Sequence, residues 1–167
     1  MRDRADFEGY VAQRSARLLR TAYLLCRDWG QAEDLTQTAL AKAWLAWRRV
    51  RDDPDPYVYR ILANTHASWW RRRWRSEIPT GSLPENVLED PLDGFGVREE
   101  LRTALAALPA KQRAVLVLRY YADLPDGQIA EILGCSAVTV RSQAARALAK
   151  LRVDPAARAA ATLGELT

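Results

Sequence analysis

Two small all-α domains joined by a flexible acidic linker are what this sequence predicts, on three observations. Apolar residues recur at three-, four- and seven-residue steps in two long blocks, which is helical periodicity, and no stretch shows the alternation of a strand. Between the blocks, residues 77–97 hold three of the eight prolines, three of the eight glycines, five acids and no base. A 21-residue stretch of that kind is unusual inside a compact domain and reads as a linker. With 167 residues, 49% of them apolar, each block has material for its own core. The expected units are residues 1–76, the linker at 77–97, a second unit at 98–153 and an Ala-rich tail at 154–167.

The first helix runs from Phe7 to about Cys26, with Val11, Leu18, Ala22 and Leu25 on one face. Asp28–Trp29–Gly30 breaks the pattern. A second helix follows from about Gln31 to Arg49; Ala32, Leu35, Ala39, Ala43 and Trp47 form its apolar stripe, while Asp34, Gln37, Thr38 and Ala41 lie on another face. Two prolines and three aspartates make residues 51–56 a loop, and the third helix runs from about Pro56 to Arg75. In the second block, helices are expected at about 98–107, 110–122, 126–133 and 137–151. Leu108–Pro109 parts the first two, and Gly134–Cys135–Ser136 parts the last two, with Ser136 suited to cap the final helix.

Charge is distributed unevenly. Residues 1–76 carry 15 bases and 9 acids, residues 77–97 carry 5 acids alone, and residues 98–153 carry 9 bases and 5 acids. Two basic blocks on either side of an acidic spacer suggest two polyanion-binding units. Of the 25 bases, 22 are Arg, whose planar fork suits phosphates and guanine edges. A GC-rich genome gives the same bias, so position has to decide.

Other classes find no support. Cys26 and Cys135 form no CxxC pair and suggest core positions in a reducing, cytoplasmic setting. With His66 the one histidine, no metal site and no cofactor is expected. Phosphate-binding glycine loops and nucleophile elbows are absent, so no enzyme is expected. The longest apolar runs, such as residues 114–118, are far too short to span a bilayer, no signal peptide opens the chain, and no membrane insertion is expected.

Two segments carry functional chemistry. The last two expected helices and their three-residue turn form a helix-turn-helix, whose second helix normally enters the major groove. In it Val140, Ala144, Leu148 and Leu151 face inward; Thr139, Ser142 and Arg146 face outward, with Arg141 at the edge. Short hydroxyls and guanidiniums there are able to contact phosphates and to read guanine. The second segment is Trp69–Arg75, where tryptophans offer stacking surfaces and arginines offer cations to unpaired nucleic acid. Tyr57, Arg60, Asn64 and Arg71 share one face of the same helix.

On these residues the chain resembles the extracytoplasmic-function group of the bacterial sigma-70 family, most like its actinobacterial members. Residues 31–48 (QAEDLTQTALAKAWLAWR) are similar to the family's polymerase-binding helix, and residues 57–75 (YVYRILANTHASWWRRRWR) to its melting and −10 segment. Residues 105–152 resemble its region four almost throughout, from LPAKQR through IAEILG to TVRS. The resemblance implies an initiation factor that binds core RNA polymerase, through the largest subunit's clamp helices and the flap, and promoter DNA, with an anti-sigma partner left open. It assigns Asp34, Gln37, Leu40, Trp44 and Arg48 to polymerase. Tyr57, Arg60, Asn64, Arg71, Arg72 and Arg73 go to the −10 element, whose flipped base Arg60, Asn64 and the loop at 51–56 would hold. Arg119, Thr139, Arg141, Ser142, Gln143 and Arg146 go to the −35 element. The acidic linker would thread the RNA exit path, and the factor would act in the cytoplasm at the nucleoid.

The chain departs from its relatives at Leu124–Pro125–Asp126–Gly127, where many have a capping Ser or Thr. Gly127 weakens that helix start by roughly 0.5–1 kcal/mol relative to Ala. Gln143–Ala144–Ala145 replaces bulkier or basic residues, so no −35 sequence carries over. Two rivals stay open on the residues alone: a stand-alone helix-turn-helix regulator, and a single-stranded RNA-binding protein built around Trp69–Arg75.

Overall fold

The computed structural model describes residues 2–75 and 99–153. The expected linker, the tail and the start of the second unit near residue 98 lie outside them.

Helix α1 spans Arg4–Cys26 and opens on a reciprocal cap. The Asp6 amide donates to Asp3 Oδ1 at 2.9 Å, and the Asp3 amide donates to Asp6 Oδ2 at 3.0 Å. This satisfies two amides that the first turn leaves without partners. Arg27 ends the helix in the left-handed region, at φ 59°. Asp28 then caps α2 (Trp29–Ala46) by accepting from the Gln31 amide at 2.8 Å. The break expected at Asp28–Trp29–Gly30 is therefore only Arg27–Asp28, because the Asp28 carboxylate lets the helix restart at once. Trp29 stacks flat on Tyr23, ring centroids 3.9 Å apart, and closes the corner.

The end of α2 tightens into a 3-10 turn, Trp47–Arg49, where regular helix was expected to Arg49. Helix α3 spans Pro54–Arg75 and so begins two residues before the expected Pro56. Both prolines fit, since first-turn amides have no intrahelical acceptor. The loop shrinks to residues 50–53. The three helices enclose Leu18, Leu25, Leu35, Trp47, Val58, Tyr59 and Leu62, all buried. Trp47 is the largest of these, and truncation of a buried tryptophan costs about 3–5 kcal/mol.

The second half holds α4 (Glu99–Ala106), α5 (Ala110–Tyr120), α6 (Asp126–Leu133) and α7 (Ala137–Val153). Val117, Leu118, Ile129, Ile132, Val140, Ala144, Ala147 and Leu151 form its core, so the stripe read from α7 faces inward as expected. Helix α5 stops at Tyr120, short of the expected 122, where Tyr121 and Ala122 both donate to the Val117 carbonyl. Gly134 ends α6 at φ 70°, a conformation without penalty for glycine, and the Cys135 amide donates back to the Ala130 carbonyl. Ser136 caps α7 through the Thr139 amide at 3.1 Å. The two halves pack on each other, α1 against α5 and α3 against α6. Arg17 Nη2 donates to the Tyr121 carbonyl at 3.2 Å and Arg27 Nη1 to the Ala106 carbonyl at 3.3 Å across that boundary. Among the described residues there is no strand.

Candidate nucleic-acid and polymerase interfaces

Three surfaces carry side chains that the cores leave unused. The first is the outer face of α2. Burying Ala32, Leu35, Ala39 and Ala43 turns Asp34 and Gln37 to solvent. Leu40 is half-buried, and Arg48 is exposed in the 3-10 turn. Trp44 stays 45% exposed and its neighbour Leu45 84% exposed, which the core of this half does not explain. Trp44 leans on Phe7 of α1, ring centroids 5.0 Å apart. An open groove runs between the two helices, lined by Arg4, Phe7, Glu8 and Val11 of α1 and by Gln37, Leu40, Ala41 and Trp44 of α2. Sequence reasoning missed the α1 wall. Phe7 was the signal available, an aromatic on a helix whose own stripe starts at Val11.

The second surface is α3 with the loop before it. Arg60, Asn64, Arg71 and Arg72 are exposed along the helix, and Tyr57 is half-buried against the core. Arg71 Nε donates to the Ala67 carbonyl of its own helix at 3.3 Å, which turns the rest of the guanidinium along the axis. Trp69 packs against the core while Trp70 is 41% exposed, so the tryptophan pair divides between structure and surface. Arg73 lies on α3, but its side chain and that of Trp74 fall outside the described residues. Lys42 of α2 donates to Thr65 Oγ1 at 3.1 Å and fixes the orientation of α3 on α2.

The third surface is the outer face of α7. Arg141, Ser142 and Arg146 are exposed, and Gln143 is half-buried. The Thr139 hydroxyl lies 3.0 Å from Ser136 Oγ, so it belongs to the helix cap as much as to the outer face. Arg119 stands apart on α5: its guanidinium donates to Asp126 at 3.3 Å and lies 6.0 Å from the Tyr120 ring. A cation already paired within the fold is suited to a backbone phosphate more than to a base edge.

The cysteines lie off these surfaces. Cys26 donates to the Asp28 carbonyl at 3.4 Å, and burial pushes its thiol up to about 11. Cys135 is half-buried against the core, and both are free thiols. No three His, Cys, Asp or Glu side chains converge on a metal position among the described residues. Nor is any described helix long and apolar enough to cross a membrane.

Residues 10–76 match the region 2 family of sigma-70 and residues 98–151 match its region 4 family. The chain is 41% identical over 155 residues to the RNA polymerase sigma-E factor of Streptomyces coelicolor, covering 92% of this chain and 88% of that one. The chain belongs to the sigma-70 family. It is also 30% identical to the ECF RNA polymerase sigma factor SigG of Mycobacterium tuberculosis, over 92% of this chain and 50% of that one. The sigma factor RpoE of Bartonella quintana, solved with the anti-sigma factor NepR, has the same fold at TM-score 0.67 and 27% identity, over 87% of this chain and 93% of that one. This sigma factor is thus an initiation factor of the extracytoplasmic-function group, directing promoter-specific transcription, and such factors are not enzymes. A stand-alone regulator is not favoured, because the region 2 match takes in the whole helical part of the first half beyond residue 10.

Proposed function

We propose that the three surfaces divide the work of initiation. The α2 face, with Asp34, Gln37, Leu40, Trp44 and Arg48, docks core polymerase. Helix α3, with Tyr57, Arg60, Asn64, Arg71, Arg72 and Arg73, takes the −10 element, and Asn64, Arg60 and the preceding loop hold its flipped base. Helix α7 reads the −35 element through Arg141, Ser142, Gln143 and Arg146, with Thr139 at its cap and Arg119 on the backbone. An anti-sigma protein, as NepR is for RpoE of Bartonella quintana, would act by covering one of these faces. The factor works at the nucleoid and contributes no catalytic step of its own, the bond-forming chemistry being the polymerase's.

One observation carries this division: exposed polar and aromatic residues cluster on three separate helices whose other faces are fully used by the cores. Reversing a rim charge adds repulsion as well as removing attraction, so Asp34→Lys or Gln37→Lys should weaken capture of core polymerase while helix content holds. Asn64→Ala should reduce open complexes, read by permanganate footprinting, more than closed ones, because a flipped base costs a few kcal/mol that its pocket must offset. Normal polymerase capture by both α2 variants would refute the docking face. Equal loss of open and closed complexes would mean that Asn64 is structural.

A further inference from the structure

The loop that presents the first surface of α3 is held from outside α3. Residues 50–53 join the 3-10 turn to Pro54, and Arg51, Asp52 and Asp53 are exposed. Such a connection has little structure of its own, yet Arg2 seizes it, while Tyr10 and Arg14 of α1 hold Asp55 in the first turn of α3 just after it. Arg2 donates through Nε to the Val50 carbonyl at 2.9 Å and through Nη2 to the Asp52 carbonyl at 2.6 Å. The same guanidinium lies over the Trp47 ring, 5.3 Å from its centroid. Tyr10, buried in α1, donates its hydroxyl to Asp55 Oδ1 at 2.8 Å, and Arg14 pairs with Asp55 Oδ2 at 3.4 Å. The Asp55 amide in turn donates to Asp53 Oδ1 at 3.0 Å.

Each contact engages an acceptor of the loop or of the first turn of α3. Two backbone carbonyls go to one guanidinium, and both carboxylate oxygens of Asp55 go to α1. With those acceptors engaged, the exposed side chains of residues 51–53 are what the loop offers to solvent, ahead of the helix that carries exposed Arg60 and Asn64. A loop ordered before binding does not lose its conformational freedom when the base arrives, and so favours one geometry of contact over others. Asp55 at the first turn of α3 also suits the helix dipole, but that role needs neither the buried Tyr10 hydroxyl nor Arg2.

We propose that Arg2, Tyr10 and Arg14 are positioning residues for −10 recognition: Arg2 fixes the loop at residues 50–53, and Tyr10 and Arg14 fix Asp55 in the first turn of α3, so that loop and helix present a preformed surface for the flipped base. The inference rests on the assignment of α3 and its loop to the −10 element. Tyr10→Phe removes only a hydroxyl, and Arg2→Ala frees two carbonyls, so neither touches the α3 face itself.

The test uses the full chain with core polymerase on templates carrying single-base changes through both promoter elements, with transcript yield as the readout. Tyr10→Phe and Arg2→Ala should each cut the preference for the cognate −10 base by about tenfold, the scale of a hydrogen bond to a charged group or a pair of neutral ones. Preference at −35 and affinity for core polymerase should stay at the unsubstituted level. Combining Tyr10→Phe with Asp55→Ala should cost no more than Asp55→Ala alone, since Asp55→Ala already removes the acceptor of the Tyr10 hydroxyl. Asn64→Ala serves as the reference. If it leaves −10 preference unchanged, the assignment of α3 itself fails. If it abolishes that preference while Tyr10→Phe and Arg2→Ala retain theirs, the positioning role alone is overturned. A uniform loss on all templates, −35 variants included, would also overturn it, by making these residues merely structural.

Discussion

Burial decides what Cys26 does. Its thiol, held up at about 11 by desolvation, is about one part in a thousand ionised at pH 8, where an ordinary thiol is about a quarter ionised. Alkylation of Cys26 by iodoacetamide at pH 8, followed by mass spectrometry, should run at least about tenfold slower in the folded chain than in the denatured one. Comparable rates would mean that Cys26 is open to solvent and free to react as a redox-sensitive thiol. Arginines divide in the same way, by surroundings. Arg146 is exposed on α7 beside Ser142, whereas Arg119 is engaged by Asp126 on another helix. Arg146→Ala should cost roughly 1–3 kcal/mol at one −35 base, and Arg119→Ala should weaken all sequences alike and lower the slope of log affinity against log salt by about one. Binding to single-base-substituted duplexes at several salt concentrations separates the two, and a uniform loss for Arg146→Ala would make it a phosphate anchor. The sequence shows a side chain's chemistry but not its partner. It marked Thr139 as an outward hydroxyl without revealing that Ser136 stands beside it, and gave no sign that Asp126 meets Arg119.

At the scale of the helix, periodicity was a good guide to faces and a poorer one to ends. The stripe of α2 is buried as read, and that of α7 is buried except for half-buried Leu148, because a seven-residue recurrence depends only on the helical repeat. The ends depend on which group satisfies the orphan amides. Asp28 restarts α2 two residues early, and Pro54 rather than Pro56 opens α3. The α1 wall of the docking groove was not legible, since nothing in one helix states which neighbour it borders or at what angle. Gly127 is the exception, a weakness visible in sequence and upheld by geometry. It lies in the first turn of α6, where Pro125 provides no side-chain cap and a Cβ would meet nothing within 4 Å. Gly127→Ala should therefore stabilise the second half by about 0.5–1 kcal/mol, through lost freedom of the unfolded chain. A melting temperature raised by a few degrees would show it, and a fall would mean that α6 needs the glycine.

The whole molecule brings its two halves together, and promoter geometry requires them apart. By their labels the −35 and −10 elements lie about 25 base pairs from each other, roughly 85 Å along B-form DNA. A compact body the size of the described residues, 2–75 and 99–153, has a radius of gyration of about 14 Å, so the packed halves cannot reach both. On the proposed assignment of the first half to −10 and the second to −35, the contacts of α1 with α5 and α3 with α6, including Arg17 to Tyr121 and Arg27 to Ala106, open on the promoter. Energy transfer between dyes at exposed Glu33 and Glu131 should be high in the free factor and fall when core polymerase and promoter DNA are added. Unchanged transfer in an active complex would mean that the halves stay joined. This arrangement was out of reach of the sequence, which showed two blocks and a spacer but carried no signal of which helices meet across them.

The claim on which the account turns is that one chain joins polymerase through α2 to promoter DNA through α3 and α7. Run-off transcription with purified core polymerase on genomic DNA of the source organism, with start sites mapped, tests it most directly. The unsubstituted chain should yield transcripts from a discrete set of starts sharing −35 and −10 sequences. Asp34→Lys should reduce them while duplex binding by the second half survives. Specific DNA binding with no transcript from the unsubstituted chain, or full transcription by Asp34→Lys, would contradict the account.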